Sequence, residues 1–301
     1  MKKQKENPIF AIAADNWVNQ VLALRKYGMY KSTKFYVQKL VDEFGYKKID
    51  AITKEDLQKF IVRRAATCGL SVIKKEIGIF KGIMEYADDG WDMFTRIKLP
   101  KGKRPSQPFY TFEEVRKLFH HSMGVEKVLI MLLAETGCRL GEAIALQTED
   151  IKPGKISITK NIYEGVVQDT PKTDSSIRVV SISGRLEAEI RKICLSSPKS
   201  FVFRSPSEFR PYWPVTLTKK LREICYNAGV EYKSSHAFRR GNITELLTEL
   251  EMPERIVGSR VGHLSQGTTL GVYCKVKQGS DEKWVPVIEK WLYEGILEKH
   301  E

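Results

Sequence analysis

The sequence predicts a mainly helical chain of two domains: a four-helix bundle over residues 9–96 and, over residues 111–277, an α+β domain with a small three-stranded antiparallel sheet. Three observations carry this. Apolar residues recur at helical spacing in four blocks between Ile9 and Ala87. Strand-like alternation is confined to the stretch between Lys155 and Ile182. Between the two regions lies a segment with Lys101, Lys103, Arg104, Pro105 and Pro108 and no apolar period, which reads as a basic linker over residues 97–110.

The first helix places Phe10, Ala13, Ala14, Trp17, Val21 and Leu24 on one stripe and stops near Gly28. The second opens at Ser32 or Thr33 and buries Val37, Leu40, Val41 and Phe44. Thr53, with Asp56 three residues later, announces the third, which turns Leu57, Phe60 and Ile61 inward and Arg63 and Arg64 outward. The fourth starts after Ser71, buries Ile73, Ile77, Phe80, Ile83 and Met84, and leaves Lys74, Lys75 and Lys81 exposed. Thr111 with Glu114 caps the first helix of the second domain, and the helix over Glu126 to Glu135, apolar nearly all round, belongs at the centre of its core. Three short strands follow, Lys155 to Lys160, Ile162 to Val167 and Ile177 to Ile182, and helices return from Gly184. Residues 278–301 form a separate C-terminal helix with an apolar stripe of Trp284, Val287, Ile288, Trp291, Leu292, Ile296 and Leu297. Two readings stand for this helix: it folds back on its own domain, or, since two tryptophans on one stripe suit an interface anchor, it docks in a neighbouring protomer.

Lysine and arginine number 50 against 37 acidic residues, a formal net charge of +13, which favours a polyanionic partner. The longest uninterrupted apolar run, Val128 to Ala134, is far short of the ~20 residues that a membrane span needs. The start, Met1-Lys2-Lys3 followed by polar residues, gives no sign of a secretory leader, and residues 1–8 read as a basic tail. Five scattered cysteines without zinc spacing fit free thiols in a reducing compartment.

The chemistry-bearing stretch runs from Ser235 to Tyr273. His236 and Arg239 stand three apart and share a helix face, Gly262-His263 follows the next helix, and Tyr273 lies ten residues beyond that histidine. Upstream is Glu135-Thr136-Gly137-Cys138-Arg139-Leu140-Gly141-Glu142, and between them Thr170-Pro171-Lys172-Thr173-Asp174 with Ser176-Ile177-Arg178-Val179-Val180. In this order the motifs resemble those of the tyrosine recombinases, the phage integrase family. Phe238 and Arg240 depart from the leucine and histidine more usual there. Each residue alone has an ordinary explanation: an ion-paired arginine, a satisfied histidine, a turn lysine, a core tyrosine. Their combination in family order distinguishes the chain.

The resemblance implies a SAM-like core-binding bundle followed by a catalytic domain of the DNA breaking-rejoining fold. Arg139 and Arg239 would hold a phosphate, since a guanidinium stays ionised and its fork spans two oxygens. His236 and His263 would add hydrogen bonds or handle a proton. Tyr273 would attack phosphorus to give a 3′-phosphotyrosyl link, and Lys172 would protonate the departing 5′ oxygen. Ionising a phenol of pKa about 10 at pH 7 costs about 4 kcal/mol, which neighbouring cations would offset. Phosphate-backbone contact would fall to Arg63, Arg64, Lys74, Lys75 and Lys81 in the bundle and to Lys101, Lys103 and Arg104 in the linker. No high-energy cofactor is implied, because the covalent link conserves the energy of the cleaved bond, and no paired carboxylates stand out as a metal site.

The expected partner is double-stranded DNA with paired half-sites, bound by a homo-tetramer that exchanges strands through a Holliday junction on the chromosome or element DNA in the cytoplasm of a prokaryotic host. Accessory directionality or DNA-bending proteins are compatible with this, and a membrane is not. Only Met1 to Pro8 precede the first helix, so an additional arm-binding domain is not expected. Two alternatives stand beside it: a type IB topoisomerase or telomere resolvase, sharing the nucleophile chemistry, and a catalytically silent DNA-binding regulator.

Overall fold

The computed structural model describes residues 7–25, 27–88, 97–100, 107–163, 165–168, 177–194, 200–204, 210–262 and 276–293. The chain divides into two compact units, Met1–Pro105 and Ser106–Glu301.

In the first unit α1 (Phe10–Gln20), α2 (Tyr27–Phe44), α3 (Lys54–Ala65) and α4 (Leu70–Ala87) enclose an apolar core. At its centre Phe10, Phe44, Phe60 and Phe80, one from each helix, touch at centroid separations of 5.1 to 5.8 Å. Such aromatic pairs add about 0.5–1.5 kcal/mol each beyond the area they bury. The first two boundaries differ from expectation. A 3-10 turn over Leu22–Leu24 replaces the end of the long first helix, burying Leu22 and leaving Leu24 85% exposed. The second helix then starts at Tyr27, and the Ser32 hydroxyl donates back to the Met29 carbonyl instead of capping. The third helix has the expected box: Thr53 Oγ1 accepts from the Asp56 amide and the Asp56 carboxylate accepts from the Thr53 amide. A second correction concerns Arg64, which is turned inward. Its guanidinium makes two bonds, 2.9 and 2.6 Å, to Glu76, a fully buried carboxylate on α4. A buried charge demands such a partner.

The second unit is built on α6 (Gly124–Thr136), buried on every side along its last nine residues. Against it pack α5 (Phe112–His120), opened by the Thr111–Glu114 capping box, α8 (Gly184–Ile193), α9 (Pro214–Asn227) and α10 (His236–Thr248). Short α7 (Leu140–Ile144) follows α6, and α11 (Glu254–Val261) follows α10. The sheet is three-stranded and antiparallel but differs in membership from the expected one. β1 (Ile151–Lys152) pairs with β2 (Lys155–Ile158), which pairs with β5 (Arg178–Ser181) in the register Ile156↔Val180. The stretch Ile162 to Val167 is not one strand of it; it turns at Gly165 into a separate hairpin of β3 (Asn161–Tyr163) and β4 (Val166–Gln168).

Two further features concern the ends of this unit. Tyr110, expected within the linker, is fully buried in its core. The final described helix, α12 (Val285–Tyr293), packs on α5 and α6 of its own unit, and Leu292 and Tyr293 join the core. The reason is polar as well as apolar, since Tyr293 donates to buried Glu135 at 2.7 Å and Trp291 Nε1 donates to Glu245 at 3.3 Å. Ile296 and Leu297 lie outside the described residues. Among the described residues no helix is long and apolar enough to cross a membrane.

Candidate active site

The site forms where the C-terminal ends of α6 and α11 meet the first turn of α10. Helix α6 stops because Gly137 adopts a left-handed conformation, φ +64°, and α11 stops at Gly262 with φ +72°. Carbonyls at helix C-termini lack helical partners and carry partial negative charge, so they attract cations. Arg239, 1% exposed on α10, takes two of them: Nη1 donates to the Gly137 carbonyl at 2.9 Å and Nη2 to the Val261 carbonyl at 2.5 Å. Its Nε is buried and has no partner among the described residues. Burial, and then the charge of Arg139, pull this guanidinium down to about 10, still protonated at neutral pH.

Arg139 stands at the N-terminus of α7, and its peptide N–H donates to Glu142 at 2.9 Å while Nη1 donates to the same carboxylate at 2.6 Å. About two fifths of the Arg139 side chain faces solvent. On the other side Arg178 Nη2, from β5, donates to Glu142 at 2.8 Å, and Arg178 Nε donates to the Arg260 carbonyl at 2.6 Å. Burial pushes the Glu142 carboxyl up, but Arg178 and then Arg139 outweigh it and hold the group below the usual carboxylate range. One carboxylate is therefore set among three guanidiniums, Arg139, Arg178 and Arg239, and the centre has an excess of positive charge suited to an anion.

His236 is the first residue of α10 and its ring is exposed. It follows Ser234, whose φ of +72° is strained for a non-glycine residue. Partial burial, followed by the charges of Arg240, Arg239 and Arg139, holds its imidazole below the ordinary histidine value. The structure thus brings together Arg139, His236 and Arg239 of the expected set. Lys172, His263 and Tyr273 lie outside the described residues.

Sequence reasoning missed three supporting residues. Asn242, one turn after Arg239, donates from Nδ2 to the Ala134 and Glu135 carbonyls at 2.8 and 3.0 Å and so closes the end of α6. Arg178 steadies Glu142, as described. Arg260, 2% exposed, donates to Asp281 at 2.5 Å, to the Ser181 carbonyl at 3.0 Å and to the Glu135 carbonyl at 3.1 Å. That network ties α11 to the segment entering α12. A buried arginine looks like a surface one in sequence, so only the alternation that places Arg178 in a strand hinted at any of this.

In the first unit the expected phosphate-contacting cations vary. Lys74 and Lys75 are exposed, Lys75 lying 4.6 Å over the Tyr36 ring. Arg63 pairs with Glu43 and Lys81 with Glu85 at 3.3 Å, and Arg64 is committed to Glu76. Lys101, Lys103 and Arg104 lie outside the described residues.

The sequence profile of the phage integrase family matches residues 108–279. The integrase of Staphylococcus phage L54a is 23% identical over a match covering 81% of this chain and 81% of that protein. The prophage ps2 probable integrase of Lactococcus lactis is 27% identical over 83% of this chain and 75% of that protein. Among solved structures, the Tn1549 transposon integrase in complex with a circular intermediate DNA superposes with a TM-score of 0.70 at 17% identity, covering 94% of this chain and all of that one. A lambda integrase tetramer bound to a Holliday junction gives 0.68 at 13% identity, covering 90% and 81%. At these identities the superpositions speak for the fold, and the profile, which covers more than half of the 301 residues, speaks for descent. The chain belongs to the phage integrase family and is a tyrosine recombinase.

Proposed function

We propose that this recombinase cuts and rejoins double-stranded DNA at paired half-sites through a 3′-phosphotyrosyl intermediate on Tyr273. The observation that carries the reading is the meeting of Arg139, from the first motif, with His236 and buried Arg239, from the second, in a centre whose positive charge exceeds its negative. A phosphodiester resists attack because its charge repels nucleophiles, and fixed guanidiniums offset that charge without reorganising. Arg139 and Arg239 bind the non-bridging oxygens, and His236 and His263 hydrogen-bond to them. The Tyr273 phenol gives its proton to a neutral imidazole of the site, His236 or His263, and its oxygen forms a bond to phosphorus as the bond to the 5′ oxygen breaks. Lys172 donates the proton that the leaving oxygen takes. Resealing reverses these steps, with a 5′ hydroxyl as nucleophile and the phenol as leaving group.

The first unit grips the duplex with Lys74, Lys75, Arg63 and Lys81, and the basic linker follows the backbone with Lys101, Lys103 and Arg104. Because lambda integrase has been solved as a tetramer on a Holliday junction, four copies of this chain are proposed to exchange strands through such an intermediate. The phage and prophage relatives point to DNA in a prokaryotic host, with directionality or DNA-bending proteins as added partners.

The test is Tyr273→Phe, which removes one oxygen and keeps charge and ring. The variant is expected to bind half-site DNA as the wild type does and to form no covalent adduct on nicked substrates. An adduct of normal yield would assign the nucleophile elsewhere.

A further inference from the structure

The chain enters the second unit through residues 107–111, and this lead-in segment is fastened to the helix that carries His236 and Arg239. Arg240 Nε donates to the Pro108 carbonyl at 2.8 Å, with Nη1 3.4 Å from Gln107 Oε1. The Tyr110 amide donates to the Ala237 carbonyl at 3.3 Å, and the buried Tyr110 and Phe238 rings lie 4.5 Å apart. Gly241 completes the contact, because a Cβ there would lie 1.9 Å from the Tyr110 carbonyl oxygen, so only glycine lets the segment approach so closely. Phe238 and Arg240, the two positions at which this chain departs from the usual family residues, are the ones whose side chains hold the segment.

We propose that Arg240 is a positioning residue: it bolts the lead-in segment to the first turn of α10 and thereby fixes the placement of His236 and Arg239 against the scissile phosphate. This rests on the reading of those two residues as phosphate ligands. A planar guanidinium that donates through Nε is held in orientation by the carbonyl it meets, which the flexible ammonium of a lysine does not reproduce. Its charge lies beside the imidazole as well. Among the described residues the charged groups acting on His236 are Arg239 and Arg240 from its own helix and Arg139 from the start of α7, and Arg240 is the largest of the three. Arg240 therefore favours the neutral imidazole, and its loss lets His236 hold a proton to higher pH.

The experiment compares wild type, Arg240→Ala and Arg240→Lys for covalent trapping on nicked half-site DNA, for half-site binding, for thermal unfolding and for the pH profile of trapping. With Arg240→Ala, trapping slows about tenfold to a hundredfold, as small misplacement of catalytic groups does. Half-site affinity stays within about twofold, and the limb of the profile set by His236 moves to higher pH. Arg240→Lys keeps the charge, so its limb stays at the wild-type pH while trapping remains slow. Wild-type rate and profile in Arg240→Ala overturn the proposal. If Arg240→Ala unfolds, Arg240→Lys decides, and a wild-type rate in that folded variant overturns it too. Failure of the wild-type chain itself to trap DNA would instead remove the reading of the site on which the proposal rests.

Discussion

Arg239 and Gly137 are joined, 102 positions apart in sequence, by a 2.9 Å hydrogen bond from a guanidinium nitrogen to the carbonyl that closes α6. The arginine proposed to bind phosphate is thus also a clamp between the ends of two helices, since its other terminal nitrogen holds the Val261 carbonyl. Arg239→Lys keeps a cation but removes the fork. One of the two carbonyls then loses its partner, at a cost of about 1–3 kcal/mol. Loss of an oriented donor at a developing charge slows catalysis about 10²–10³-fold. Chemical denaturation and covalent trapping should register both losses, and a variant of unchanged stability would show that the clamp is dispensable.

Gly137 faces two constraints at once. Its φ of +64° disfavours any side chain, and a Cβ there would meet Asn242 Oδ1 at 2.6 Å and Val261 Cγ1 at 2.9 Å. Gly137→Ala is therefore expected to lower stability by more than the ~1 kcal/mol that left-handed backbone alone costs. It should also slow trapping, because the carbonyl that Arg239 grips belongs to the same residue. A variant less stable but equally fast would separate the turn from the site.

In the first unit the Lys47 ammonium, 2.6 Å from Asp56, and then the Thr53 amide hold the Asp56 carboxyl down to about 2. A depressed carboxylate stabilises the fold above its unfolded value, near 4, and that contribution is lost as pH falls towards the folded value. Asp56→Asn should then be less stable than wild type by ~1–2 kcal/mol at pH 7, the pair being only about a quarter exposed. The gap should narrow at pH 3. A gap that is the same at both values would mean that neutral capping, and not charge, is what Asp56 supplies.

Local chemistry was legible in the sequence where a short motif suffices. Thr53 with Asp56 and Thr111 with Glu114 announced capping boxes that are present, and the all-apolar run of α6 announced a central helix. The Arg139, His236 and Arg239 grouping was legible through family order and not through spacing, because nothing local brings residues a hundred positions apart together. The arginines went unread for one reason. Arg64, Arg178 and Arg260 are charged, and composition assigns charge to the surface, yet Arg64 is half-buried and the other two are buried, each against a carboxylate or helix-end carbonyl from another element. Ile162 to Val167 scanned as one apolar strand because its alternation outweighed the Gly165 that folds it back on itself. The stripe of α12 was seen, but an apolar stripe does not say whose core receives it.

That last point yields a prediction about the C-terminal segment. Asp281 accepts from Arg260 at 2.5 Å and from Ser181 through its amide and hydroxyl at 3.0 and 2.8 Å, all buried. Further on, the Tyr293 hydroxyl donates to Glu135, whose carboxyl burial pushes up and whose other contacts are the Ser183 amide and hydroxyl. Asp281→Ala leaves Arg260 buried without its carboxylate, a change that costs about 3–5 kcal/mol. Tyr293→Phe removes one bond to a carboxylate and costs about 1.5–3 kcal/mol. Ending the chain after Lys277 removes both anchors and Leu292 from the core, so the second unit should unfold or lose most of its cooperative transition in calorimetry. If α12 instead belonged to a neighbouring protomer, the truncated chain would keep its monomeric melting temperature and fail only in assembly on paired half-sites. Calorimetry and paired-site gel shifts on the same truncated protein distinguish these outcomes, and an intact melt with failed assembly would overturn the docking of α12 within its own unit.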